Sequence, residues 1–181
     1  MKTRCWSVIA VFFAFIFSFY FVRTQTLPTV LYIEKFSTDA SMTDSEKKKE
    51  RIEEIPDSKL VQIQEAIWSE TKKSQMFSEV IILKDGEKPT IEENKECWVL
   101  SGYFLDYKKG NQAVRYLVGF GAGKQKIEVQ VELKNAKSGE TIRTERIVDR
   151  KVGGFFGGNA EKGLKDFAER IVQFLKEVKG T

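Results

Sequence analysis

The stretch KIEVQVEL, residues 126–133, constrains the fold more than any other. Ile127, Val129, Val131 and Leu133 alternate without error with Glu128, Gln130 and Glu132. A strict period of two puts the apolar residues on one face of a strand and the polar ones on the other, so one side meets a core and the other meets water. A strand of this kind needs partners, and the neighbouring sequence offers them. ECWVLSGYFLDY (96–107) is apolar on both faces, as a central strand is. On the other side, NAKSGE (135–140) reads as a tight reversal into a polar strand, TIRTERIVDRKV (141–152). The three form an up-down-up meander.

The first half supplies the rest of the layer. TVLYIEKF (29–36) and MFSEVIIL (76–83) are strand patterns bounded by turn residues. Between them, Leu60, Ile63 and Ile67 recur at helical spacing, flanked by Val61 and Trp68, and Pro56-Asp57-Ser58 supplies a start signal. STDASMTDSEKKKERIEE (37–54) has almost no apolar residues and reads as a solvated loop with at most a turn or two of charged helix. At the end of the chain, Asn159 is placed to cap a helix whose inward stripe is Leu164, Phe167, Ala168, Ile171, Leu175 and Val178, ending near Gly180. The expected fold is α+β: a mixed or antiparallel sheet of about five strands with two helices packed on it, in one domain over residues 29–179.

Before that domain lies CWSVIAVFFAFIFSFYFV, Cys5 to Val22, without a single charge and preceded by Lys2 and Arg4. As a helix it spans about 27 Å, close to the roughly 30 Å of a bilayer's hydrocarbon. Residues 1–23 are therefore a signal peptide or an N-terminal membrane anchor, with 24–28 a short linker. FSFYFVRTQT lacks the small residues that signal peptidase needs, which favours the anchor, and the basic residues before the run favour export of the body.

Composition prunes the functions. The 181 residues carry 30 basic and 26 acidic side chains; without Lys2, Arg4 and Arg23 the balance is 27 to 26. So neutral a body lacks the cationic surplus that nucleic acid demands. There is no histidine, which excludes Ser-His-Asp and Cys-His nucleophile systems and His-ligated zinc. Of the two cysteines, Cys5 precedes the apolar run and Cys97 sits in a strand pattern, so no intrachain disulfide is expected and Cys97 reads as a small buried hydrophobe. No metal or cofactor is expected.

GFGAGK (119–124) is the one stretch that suggests a phosphate cradle. A Walker loop needs four residues between its glycines, a Ser or Thr after the lysine, and a helix to follow. Here three residues separate Gly119 from Gly123, Gln125 follows Lys124, and a strand comes next. Glycines at 102, 110, 119, 121 and 123 read instead as places where the backbone bends or bulges between strands.

Those residues carry a resemblance. SGYFLDYKKGNQAVRYLVGFGAGKQKIEVQVELKNAKSGE, followed by GGFFGG and an amphipathic helix, resembles the bacterial envelope family catalogued as domain of unknown function forty-four-ten. The matching positions are Gly110, Arg115, Gly119, Gly121, Gly123, Ser138, Gly139, Gly153, Gly154, Gly157 and Gly158. The match is close over about residues 99–177 and loose before. The resemblance implies a noncytoplasmic address and no known reaction; this chain departs from lipoprotein members in having no lipobox cysteine after its apolar run.

If the meander forms, loops 108–125 and 153–158 leave the same end of the sheet. That end would gather Phe120, Phe155 and Phe156 beside Arg115, Lys124, Arg150 and Lys151, a surface for a protein or envelope partner. The alternatives are that the phenylalanines tuck under the sheet while Arg115 pairs with an acid such as Asp106, that Lys124 and the glycine amides serve an anion- or nucleotide-binding enzyme, and that the domain is purely structural.

Overall fold

The computed structural model describes residues 28–43, 45–53, 55–108, 126–149 and 160–180, omitting the side chains of Ala40, Asp149 and Ala160. The apolar run 5–22, the cap Asn159 and residues 150–152 of the expected last strand lie outside them. Among the described residues no helix is long and apolar enough to cross a membrane.

The architecture is α+β. Strands β1 (Thr29–Ile33), β2 (Glu79–Ile82), β3 (Glu96–Lys108), β4 (Lys126–Asn135) and β5 (Thr141–Asp149) form one sheet in the order β2-β1-β3-β4-β5. β1 runs parallel to both β2 and β3, whereas β3, β4 and β5 are the expected antiparallel meander. The sheet is thus mixed. β2 keeps only four of the eight residues expected of it and β1 five, although Phe36 and Leu83 beyond their ends are still buried.

Three α-helices are described rather than the two expected: α1 (Glu46–Glu53), α2 (Asp57–Ser74) and α3 (Ala160–Lys179). The segment expected to be a solvated loop holds α1 and a short 3-10 helix, Ala40–Met42. A single apolar residue decides this, because Ile52 is wholly buried in the main core and pins an otherwise charged helix to the sheet. In α2, Leu60, Ile63, Gln64, Ile67 and Thr71 are buried, and Gln75 in the left-handed conformation closes its C-terminus.

Alternation along the strands divides the sheet into two faces. Leu31, Ile33, Trp98, Leu100, Phe104, Val129, Val131, Leu133 and Ile147 join Phe167, Ala168, Ile171, Phe174 and Leu175 of α3 in the main core. On the opposite face Val30, Tyr32, Cys97 and Val99 form a smaller cluster with Leu83. The Tyr32 hydroxyl donates to Thr90 O at 2.6 Å, tying segment 84–95 to that face.

Two local devices differ from expectation. Gly102 bends nothing: a Cβ there would stand 2.6 Å from the ring of Phe36, so glycine is required for close approach. The irregularity of β3 falls instead between Phe104 and Asp106, where the register with β4 shifts by one residue. In the β4–β5 turn Gly139 does have a positive φ of 72°, and Asn135 Oδ1 accepts from the amides of Lys137 and Ser138.

Candidate functional site

The meander places the candidate surface. Lys108 pairs with Lys126 and Ile127 with Asp149, so β3 leaves, β4 enters and β5 leaves at one end of the sheet. Segments 109–125 and 150–159 both start there. The residues expected to act, Arg115, Phe120, Lys124, Phe155 and Phe156, and the glycines at 110, 119, 121, 123, 153, 154, 157 and 158, lie in those segments, outside the described residues.

What is described at this end is a charge cluster. Asp106 and Glu128, 5% and 2% exposed, sit directly opposite each other on β3 and β4. Two carboxylates so placed repel and are costly to bury, and cations surround them. Arg51 of α1 donates to Asp106 Oδ1 through Nη2 at 2.6 Å and Nε at 3.2 Å. Lys126 bridges the pair, with Nζ 3.0 Å from Asp106 Oδ2 and 2.7 Å from Glu128 Oε2. Arg146 of β5 completes the set on Glu128 Oε1. Each carboxylate oxygen therefore has a cationic donor, and three strands and α1 are linked through side chains at the point where the glycine segments begin.

This geometry holds its protons still. Burial pushes the Asp106 carboxyl upward, but hydrogen bonds and charge from Arg51 and Lys126 outweigh it and keep the group below its ordinary value. A general base needs an open lone pair and an affinity for protons near the working pH; Asp106 offers neither. Among the described residues, no group of three or more His, Cys, Asp or Glu side chains could hold a metal ion. Cys97 is buried and free, with Sγ 3.9 Å from Thr90 O and Lys95 O.

Sequence patterns misplace parts of this cluster. The alternation of β4 assigns Glu128 to water, yet its side chain is nearly inaccessible; Arg51 falls in the segment read as solvated. One signal was available: an aspartate in GYFLDY, a run apolar on both faces, needs cations to share its burial.

A recess of about 570 Å³ opens at the other end of the sheet, lined by Thr29, Phe77, Glu96, Trp98 and Lys179 among others. Lys179 lies 4.7 Å from the centre of the Phe77 ring and donates to Met76 O, so its charge is turned back onto the protein. Burial lowers its pKa, with Glu96 opposing.

Comparison with known proteins agrees with the fold. The family model described as Domain of unknown function (DUF4410) matches residues 31–155. The match takes in the first half, where the resemblance was loose, and stops before α3. A PelC dodecamer from Paraburkholderia phytofirmans has a similar structure, with TM-score 0.52 and 14% identity over 85% of this chain and 90% of that one. Protein XCC0632 from Xanthomonas campestris is also similar, with TM-score 0.52 and 8% identity over 86% of this chain and 89% of that one. At such identities the likeness is one of fold. No curated protein matches the sequence.

Proposed function

We propose that this chain, which belongs to the family Domain of unknown function (DUF4410), is a noncatalytic module of the bacterial envelope that holds a protein or surface partner on segments 109–125 and 150–159. The observation that carries the proposal is the ionic cluster at their base. Arg51, Asp106, Lys126, Glu128 and Arg146 fasten α1, β3, β4 and β5 together where both segments leave the sheet. Binding residues are commonly borne by loops on a rigid scaffold. The phenylalanines at 120, 155 and 156 supply apolar anchors of a type enriched at interfaces, Arg115 is of a type that carries binding energy there, and Lys124 adds charge. The apolar run Cys5–Val22 accounts for the envelope address by export or anchoring.

The test is a Phe155→Ala, Phe156→Ala double variant of the full chain. Its circular dichroism should match the parent while capture of its envelope partner falls at least tenfold; unchanged capture counts against the proposal. Calorimetric titration with ATP and with inorganic phosphate should be flat. Saturable heat, abolished by Lys124→Ala, would replace the binding module with an anion-binding enzyme.

A further inference from the structure

The two edges of the sheet are finished differently. β2 has four residues, and the Trp68 indole donates to Val80 O at 3.0 Å, so α2 covers that margin. β5 is nine residues long, and among the described residues no strand pairs with its outer side. The backbone phase of that strand is fixed by its neighbours. Asn135 N–H donates to Glu140 O across the β4–β5 turn, and Ala136 N–H donates to Cys97 O on β3. Odd-numbered residues of β4 therefore bond toward β5, and their partners Arg143, Glu145 and Ile147 bond back. Thr144, Arg146 and Val148 then direct N–H and C=O away from the sheet. Val148 O accordingly takes its hydrogen bond from a side chain, Arg170 Nη1 of α3, at 3.2 Å.

We propose that β5 is the seam of a homodimer, pairing antiparallel with β5 of a second copy about a two-fold axis through Thr144. Charge selects that register. A two-fold at Thr144 sets Arg143 opposite Glu145 of the second copy, and the reverse, on the helix-bearing face, with Thr144 facing Thr144 and Arg146 facing Ile142. Two-folds at Arg146, Arg143 or Glu145 would instead bring like charges face to face, which is unfavourable. Both members of the selected pair are available: Arg143 and Glu145 are 40% and 38% exposed, and Arg143 reaches Glu145 and Glu177 only at 3.5 and 3.4 Å. The overlap runs from Thr141 to Ile147, with the register shift of β5 beside Ile142 at its margin, and leaves out Val148, the residue whose carbonyl Arg170 has capped. Exposed apolar side chain at Ile142, 39% accessible, is covered by the second copy. Such a contact is self-complementary and closed, so it ends at two copies.

The experiment uses the full chain in detergent, in a Cys5→Ser background. Residues facing each other in a hydrogen-bonded antiparallel pair lie about 5.5 Å apart, within disulfide reach. Thr144→Cys should therefore oxidise to a covalent dimer, whereas Ile142→Cys and Arg146→Cys, whose copies lie about 13 Å apart along the seam, should not. Sedimentation should give a dimer for the parent. Arg143→Glu and Glu145→Arg should each weaken it at least tenfold, and an equimolar mixture of the two should restore it as a heterodimer. A monomeric parent, a Thr144→Cys chain that stays uncrosslinked, or a mixture that fails to associate would overturn the proposal.

Discussion

Asp106 and Glu128 face each other across β3 and β4, and one ammonium serves both: Lys126 Nζ lies 3.0 Å from the first and 2.7 Å from the second. The lysine is the keystone of the cluster because its removal leaves two buried like charges opposed. Lys126→Met should therefore cost about 3 kcal/mol of stability, the scale for breaking one side of a buried ion pair. Urea denaturation measures it. A loss under about 1 kcal/mol would mean that Arg51 and Arg146 suffice.

Acid should act through the same residues. The Asp106 carboxyl is held below its ordinary value of 3.8, so its contribution to stability is complete above that pH and disappears as pH falls through the lower folded-state value. The stability advantage of the parent over Asp106→Asn should be constant from neutral pH down to about pH 5, and should narrow progressively as pH falls through about 3.8 and below. Urea midpoints of the two proteins across pH 2–7 check the sign; an advantage that grows on acidification would contradict it.

Gly102 is needed for space. Its missing Cβ would meet Phe36 at 2.6 Å, and Phe36, fully buried, packs edge-on against Phe167 at 6.3 Å. Gly102→Ala should destabilise by about 1–3 kcal/mol through overpacking. Adding Phe36→Leu should recover part of that loss, so the two changes together cost less than their sum.

Gln64 closes the backbone at the β1 and β2 margin. Its buried amide donates to Ile33 O and Leu83 O, each at 2.9 Å. Gln64→Leu keeps the volume and removes both bonds. A loss of about 1–3 kcal/mol is expected in chemical denaturation.

The parts of the fold governed by long periodic runs were legible in the sequence. The clean alternation of 126–133 and the two-sided run 96–107 place β4 and β3, and the stripe ending at Val178 places α3. What escaped depends on pairs distant in the chain. Ile52 and Arg51 look solvated among their neighbours, and only the sheet end, 55 residues away in sequence from Arg51 at Asp106, gives them burial and a partner. Glu128 obeys the period of two yet is hidden, because Lys126 and Arg146 fold over it from the polar face. Gly102 signalled conformational freedom, and its actual constraint is a ring supplied by the loop after β1. The candidate site was legible as an end of the meander; its base was not, since charge pairing across strands has no local period.

On the proposed function, the partner is held at the glycine-segment end of the sheet. Photo-crosslinking amino acids placed in living cells at Phe120, Phe156 and, as a control, Ile91, exposed in the segment that leads into the opposite end of β3, test it directly. One discrete adduct, the same protein or surface polymer by mass spectrometry from positions 120 and 156 and missing from 91, is the predicted result. Adducts from position 91 alone, or none from 120 and 156 in a chain that is folded and exported, would contradict it.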